Sequence, residues 1–291
     1  MNELLKTELG QLRLHSRGKV RDIYDLGDTL LLISTDRISA FDCVLPNGIP
    51  GKGMVLNQLS EFWFLSSRDR IPNHLRTADF DDYPPSLRPF RDQLRYRSMI
   101  VEKADMVPVE CVVRGYLAGS GLREYRQTGR LAGLSMPEGL AESAQLPEPV
   151  FHPAVKAQTG HDENISFADL ENRVGKDLAG RLRAASLDLY QWGAGKAAQA
   201  GVILADTKFE FGFRNGDLIL ADELFTPDSS RFWKQAEYQA GRPQEAFDKQ
   251  FVRDYLETLD WNKQTPGPGI PEQVIRATSE KYREVCQRLM G

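Results

Sequence analysis

The sequence predicts an α+β protein of two lobes, a small β-rich N-terminal lobe (residues 1–106) and a larger C-terminal lobe (107–291). Three observations carry that expectation. Strand-like alternation dominates from Lys19 to Val113, with a helical interruption at Met54–Ser67. The rest of the chain mixes strands with long amphipathic helices instead of repeating βαβ units. A length of 291 residues, 41% of them hydrophobic, leaves room for two modest domains or one large one.

In chain order, Lys19–Asp25 and Leu30–Thr35 read as strands joined by a turn at Leu26-Gly27-Asp28. Met54–Ser67 sets Leu56, Leu59, Phe62, Trp63 and Phe64 mostly on one side of a helix. Asp79–Pro89, rich in Asp and Pro, is expected to be a surface connection. Ser98–Val113 returns to β alternation, interrupted at Pro108, which suits an edge or a strand start. Gly121–Thr128 reads as a short helix. Gly129–Thr159, with Pro137, Pro147, Pro149 and Pro153, reads as a long irregular segment of the kind that serves a function or is disordered. Asp177–Ala200 is the clearest long helix, with Leu178, Leu182, Leu189 and Trp192 inward. Val202–Phe213 and Leu218–Ala221 form a hairpin across Arg214–Asp217. Helices near Gln244–Leu259 and Pro271–Met290 close the chain. A boundary near Ala104–Val107 divides the lobes, and clefts between lobes are common ligand sites.

Bulk properties exclude several classes. With 37 basic and 41 acidic side chains the net charge is −4, so no basic face for nucleic acid is implied. Cys43, Cys111 and Cys286 are odd in number and widely separated, which suggests reduced thiols and neither a disulfide framework nor a zinc site. The charged N-terminus lacks a signal-peptide apolar region, and no apolar run is long enough to span a membrane. A soluble cytoplasmic protein is expected; its oligomeric state is not legible.

Four segments concentrate chemistry. Gly18-Lys19-Val20-Arg21-Asp22 projects two alternate cations from one strand face, as a phosphate-gripping lid would, though a solvated strand uses the same residues. Ser34–Asp42 gathers hydroxyls, Asp36, Arg37 and Ser39 after an apolar strand, which suits a sugar phosphate or, equally, a capped turn. Met106–Ser120 places Glu110 and Arg114 four residues apart. On a strand they share a face but lie roughly 13 Å apart, too far for a simple ion pair and well placed as separate ligands along one groove. Ser120, between Gly119 and Gly121, fits an anion-binding turn. Leu204–Gly212 alternates Asp206, Lys208 and Glu210 with apolar neighbours, and Asp222 and Glu223 follow on the hairpin partner. A solvated outer face is the default for such alternation. Two carboxylates with water and triphosphate oxygens are also the ordinary ligand set of Mg²⁺.

Register separates these readings. A two-residue Asn215-Gly216 turn pairs Phe209 with Asp222 and puts Glu210 and Asp222 on opposite faces. A three-residue loop sets Glu210 across from Asp222. The apolar pattern slightly favours the first register and metal binding demands the second, which is the register expected here. Ser230 and Arg231, after Thr226-Pro227-Asp228, are placed to reach a phosphate, and His161–Ser166 precedes a helix that Ser166 caps.

Through Gly18–Asp22, Met106–Ser120, Leu204–Gly212 and Asp222–Trp233 the chain resembles the SAICAR synthetase family, the phosphoribosylaminoimidazole-succinocarboxamide synthases. The resemblance implies a kinase-like N-terminal lobe and an ATP-grasp-like C-terminal lobe. It also implies a ligase that uses ATP to join L-aspartate to carboxyaminoimidazole ribonucleotide through an acyl phosphate. Lys19 and Arg21 would contact ATP phosphates, Lys103–Val109, with Lys103 and Val107, the adenine side, and Glu110 the ribose. Arg114, Ser120 and Arg231, with Ser230, would hold the ribonucleotide, joined by Asp36, Arg37 and Ser39. Glu210 and Asp222 would ligate Mg²⁺ beside Lys208, making Lys208, Arg114 and Asp222 the catalytic set. Lys156, His161, Asp162 and Asn164 would lie on the aspartate side, although this chain carries Val155-Lys156-Ala157-Gln158 where longer members have Thr-Lys-Ala-Glu. The alternatives are a small-molecule kinase, which needs no amine substrate, and a non-catalytic nucleotide-binding module, which tolerates loss of Glu210 or Asp222.

Overall fold

The computed structural model describes residues 3–155 and 163–291. The first sheet is built from β1 (Leu14–Arg17), β2 (Arg21–Asp25), β3 (Thr29–Ser34) and two later strands; β4 (Arg37–Ala40) and β5 (Cys43–Gly48) form a separate hairpin. After α1 (Lys52–Ser66), β6 (Leu75–Thr77), the short helix α2 (Arg91–Leu94) and β7 (Ser98–Glu102) complete that first sheet in the antiparallel order β1-β2-β3-β7-β6. The expected hairpin and helix are therefore present within two residues of their expected bounds. The Asp79–Pro89 connection differs from expectation: Phe80, Tyr83 and Leu87 are buried against Leu31, Ile33 and Ile100. Its Asp and Pro residues shape two 3-10 turns around those apolar anchors.

The second sheet follows β8 (Asp105–Met106). It contains β9 (Val109–Tyr116), then, past α3 (Gly119–Thr128) and the small β10 (Arg130–Leu131)–β11 (Leu134–Ser135) hairpin, β12 (Gln145–Val155) and β13 (Glu163–Asn164). Helices α4 (Phe167–Val174) and α5 (Lys176–Gln199) lead to β14 (Val202–Arg214), β15 (Asp217–Ala221) and β16 (Ser230–Lys234). The sheet order is β13-β12-β9-β14-β15, with β16 and β8 also paired to β14. Helices α6 (Gln250–Glu257) and α7 (Glu272–Met290) end the chain.

Two expectations are corrected here. The segment read as a long loop contains β12, eleven residues paired to β9 from Val150↔Arg114 to Val155↔Val109. Its prolines hid it: Pro147 and Pro149 fall where the ladder slips between Gln145 and Val150, and proline is tolerated at such irregularities. The helix expected from Gln244 begins at Gln250, because Ala246 bridges Trp233 and the Phe247 N–H donates to Phe232 (2.9 Å), holding that stretch extended.

β14 is the spine of the molecule. Its first half pairs with β16 and its second with β15, while β9 and β8 line its other edge. Gly212 allows the β8 crossing, since a Cβ there would meet the Ala104 Cβ at 2.9 Å and the Asp105 carbonyl at 3.1 Å. One face of β9 and β14, with Cys111, Val113, Phe209 and Phe211, packs on Leu182, Leu189 and Tyr190 of α5 in the main core. The same core takes in Leu59, Trp63 and Phe64 of α1 and Tyr282 and Val285 of α7. With that face buried against helices, the other is left for polar side chains.

Candidate active site

The β9–β14 register puts the polar side chains on that other face in rows. Arg114 lies across from Asp206 and Val112 across from Lys208, so the same period sets Glu110 beside Glu210. On the far side of β9, His152 of β12 lies across from Val112, and on the far side of β14, Arg231 of β16 lies across from Asp206. The alternation that reads as a solvated face in sequence is covered: Asp206 and Glu210 are only 5% and 6% exposed.

Arg114 spends all three sides of its guanidinium. It donates to Asp206 Oδ2 (2.7 Å), Ser120 Oγ (2.8 Å) and His152 Nδ1 (3.0 Å). Burial and the adjacent Arg114 charge push His152 down to about 3, so the ring is neutral and its Nε2–H donates to Glu124 (2.9 Å). Asp206 also accepts from Arg231, making it the bridge between two cations. Gly119, at φ +55°, lets α3 start against Arg231; a Cβ there would come within 2.2 Å of the guanidinium. Ser230 hydrogen-bonds Thr207 (2.8 Å). Arg114, Ser120, Asp206, Ser230 and Arg231 border a cleft of about 240 Å³, whose lining also includes Lys208, Asp228, Lys249 and Arg253.

At the other end of the row, Lys208 donates to Glu210 (2.7 Å) and Glu110 (2.9 Å). Burial works against its ammonium, but Glu210, Asp222 and Glu110 outweigh it and hold its pKa well above the ordinary lysine value. Arg21 pairs with Asp222 and with Glu223 (2.8 Å). Burial opposes ionisation of Asp222, yet Arg21 and Lys208 bring it down to about 2.

The expected register is corrected. Arg214 pairs with Asp217 and Glu210 with Ala221, so the turn is the two-residue Asn215-Gly216 type, which by alternation alone would send Glu210 and Asp222 to opposite faces. Asp222 escapes that rule because it follows the end of β15 and adopts φ +65°, in the left-handed region. The reversal returns it to the Lys208 side, where both carboxylates act on the same ammonium.

Other expected residues are dispersed. Lys19 pairs with Asp42 at the surface and Lys103 with Asp25 (2.7 Å). Val107 is buried, donates its N–H to the Phe211 carbonyl (2.8 Å) and accepts from the Val109 N–H. Asp36 and Arg37, expected to hold a sugar phosphate, are instead internal braces. Asp36 accepts from the Leu4 and Gly53 amides and pairs with Arg97 (3.1 Å); Arg37 donates to the Leu5, Gly18 and Lys19 carbonyls and to Asp22. Ser39 sits across from Val44 on the β4–β5 hairpin, outside the cleft lining. Asn164 pairs with Ala154, whereas Lys156, His161 and Asp162 lie outside the described residues. The sequence assigns no site role to Asp206, Glu223 or Asp228, although each stands in a segment it singles out, and it does not single out His152. Asp206 was signalled by its place two residues before Lys208 in the alternating strand; His152 was hidden with the rest of β12.

A family model for SAICAR synthetase matches residues 14–268. A phosphoribosylaminoimidazole-succinocarboxamide synthase of Syntrophotalea carbinolica is 54% identical over 289 residues, covering 99% of this chain and 98% of the relative. Among solved structures, the SAICAR synthase of Saccharomyces cerevisiae complexed with SAICAR superposes with a TM-score of 0.90 at 43% identity, covering 99% of this chain and 98% of that one. A SAICAR synthetase in complex with ADP matches with a TM-score of 0.70 at 27% identity, covering 95% of this chain and 97% of that one. Architecture, cleft and relatives together define an ATP-dependent ligase acting on small molecules. The chain belongs to the SAICAR synthetase family, which performs the ATP-dependent ligase step of de novo purine biosynthesis. Among the described residues no helix is long and apolar enough to cross a membrane.

Proposed function

We propose that the β9–β14 face performs this ligation by activating the carboxylate of carboxyaminoimidazole ribonucleotide as an acyl phosphate, which the amine of L-aspartate then attacks. A carboxylate resists attack at neutral pH because its leaving group would be oxide; phosphoryl transfer from ATP supplies a good one. Arg114, Ser120, Ser230 and Arg231 hold the ribonucleotide, with Asp206 holding both guanidiniums in place beside the cleft. Lys19 and Arg21 meet the ATP phosphates, Lys103–Val109 the adenine side and Glu110 the ribose. Lys208 stands between the two ends of the row and balances charge on the phosphoryl group in transfer. The single observation that carries the reading is this placement of Lys208 between carboxylates it pairs with and a row of anion-binding groups on the same sheet face.

The residues fit a Mg²⁺ ion. Around Arg21 and Lys208, the carboxylates of Glu110, Glu210, Asp222 and Glu223 exceed the cations by two charges, and all are hard oxygen donors. Glu210 and Asp222 would hold the ion, with water and phosphate oxygens completing its shell, and it would neutralise the triphosphate as charge moves toward the leaving group. Arg21 would then be released from Asp222 toward the phosphates. The division into a nucleotide-lid lobe (1–106) and a substrate lobe (107–291), and work in the cytoplasm, belong to the same reading. Three free, buried thiols support the latter.

The test is ADP release measured with each substrate omitted in turn. Release that requires both the carboxylated ribonucleotide and L-aspartate is expected. Sustained turnover indifferent to every amine would favour a kinase that leaves its phosphoryl group on an alcohol.

A further inference from the structure

Beside the cleft, a buried acid is gripped by two helices that the proposed ligation does not use. Asp228 stands in the loop that joins β15 to β16, and its side chain is 6% exposed. Its Oδ2 accepts from the Lys52 ammonium at 2.6 Å, and its Oδ1 from the Tyr282 hydroxyl at 2.8 Å. Lys52 opens α1 and Tyr282 lies within α7. Both are sealed from solvent, and the ammonium is 5.9 Å from the centre of the tyrosine ring. Burial opposes ionisation of Asp228, yet Lys52 and Lys249, with the two hydrogen bonds, bring it down to about 2. Lys52 is itself fixed. The adjacent Gly53 amide donates to Asp36 (2.9 Å), and a Cβ at Gly53 would meet the Ser34 carbonyl oxygen at 2.1 Å, so α1 starts hard against β3.

A buried ion pair adds little stability over an apolar pair of the same shape, because desolvation offsets its attraction. What it gives is placement, since a carboxylate held at both oxygens keeps one position. Asp228 passes that placement along the loop. Its N–H donates to Thr226 Oγ1 (3.2 Å), and the Ser230 N–H donates to the Thr226 carbonyl (2.9 Å), with Arg231 next in the chain. Ser230 and Arg231 line the cleft, whereas Lys52 and Tyr282 do not. We propose that Lys52 and Tyr282 are positioning residues for the ligation: through Asp228 they fix the β15–β16 loop so that Ser230 and Arg231 meet the ribonucleotide in one geometry. Affinity for that substrate then depends on how two helices from opposite ends of the chain are seated. This role rests on the reading that Ser230 and Arg231 hold the ribonucleotide.

Steady-state kinetics of Tyr282→Phe and Lys52→Met test it, with Arg231→Met as the reference for direct loss of a ribonucleotide ligand. Tyr282→Phe deletes one hydroxyl and keeps the ring; it is expected to raise the ribonucleotide KM about three- to tenfold. Lys52→Met leaves the carboxylate without its cation and should raise that KM about tenfold or more. The KM values for ATP and L-aspartate should stay within about twofold in both. In an Asp228→Asn background Tyr282→Phe should add less than about twofold, because its effect runs through that carboxylate. A ribonucleotide KM unchanged by Tyr282→Phe but raised by Arg231→Met overturns the role. So do equal rises in all three KM values, or full additivity with Asp228→Asn. Calorimetric ADP binding checks that each variant is folded; if Lys52→Met fails it, Tyr282→Phe decides. An unchanged ribonucleotide KM in Arg231→Met would remove the underlying assignment of that arginine, a result distinct from all of these.

Discussion

Two stretches of this chain look alike as letters and behave in opposite ways. Thr35-Asp36-Arg37 and Asp206-Thr207-Lys208 each set an acid, a hydroxyl and a cation on a strand or at its end, and each is largely buried. Around Arg37, four acceptors answer the guanidinium, and Asp36 is answered by two amides and Arg97. Around Lys208, carboxylates outnumber cations, and the row runs along a cleft. The first cluster closes on itself and braces the N-terminal segment against β2. The second keeps unbalanced charge beside an opening, which is what a polyanion and a metal ion require. Residue type does not distinguish a brace from a site; the balance of donors and acceptors does.

The largest effect should come from emptying the unbalanced cluster. Asp222→Asn or Glu210→Gln is expected to lower kcat by about 10²–10³-fold or more, since in the proposed mechanism each would remove charge organised around the transferring phosphoryl group. The circular dichroism spectrum should stay that of the parent. Retained turnover would support the non-catalytic module in place of the enzyme.

The mirror experiment is Arg37→Met. It leaves Asp22 with one cation fewer in a fully buried place and should cost roughly 3–5 kcal/mol of stability in denaturant unfolding. The folded fraction should keep kcat within about twofold. A specific loss of ribonucleotide affinity would instead return Arg37 to the site.

How much of this contrast was legible depended on the range of the interactions. The β2–β3 hairpin, α1, α5 and the charged alternation of β14 all follow from local periodicity, and they formed as expected. The partners of Arg37 come from Leu5, Gly18 and Lys19, which no local pattern links to it. The β14–β15 register departs from expectation because strand alternation does not reach Asp222, whose positive φ lies past the strand end. β12 is not legible because three prolines argue against a strand; the ladder slip accommodates Pro147 and Pro149, while Pro153 stands in the paired stretch across from Cys111. Asp248, Lys249 and Arg253 of the cleft lining carry one signal in sequence, an Asp-Lys pair followed four residues later by Arg at the start of an amphipathic helix.

A smaller effect concerns the fork of Arg114. Arg114→Lys keeps the charge but cannot serve Asp206, Ser120 and His152 together, so the ribonucleotide KM should rise about tenfold with kcat less affected. An unchanged KM would reduce Arg114 to a structural ion pair.

The smallest effect is a pH dependence of stability at Asp248, which faces Arg231, Arg253 and Asp206. Burial raises its carboxyl to about 6, against about 3.9 in an unfolded chain. Between those values the folded state binds more protons, so its contribution is full below pH 4 and is lost as pH rises through 6. Asp248→Asn should flatten that slope and melt no lower than the parent at pH 7.5. A lower melting temperature there would make ionised Asp248 a structural partner.

The central claim is that the row from Arg114 to Glu210 activates a carboxylate by phosphoryl transfer. It is tested most directly by labelling the ribonucleotide carboxylate with oxygen-18 and analysing the released phosphate by mass spectrometry. One labelled oxygen in phosphate per amide formed is the predicted result. Amide formation with unlabelled phosphate would contradict the acyl-phosphate route.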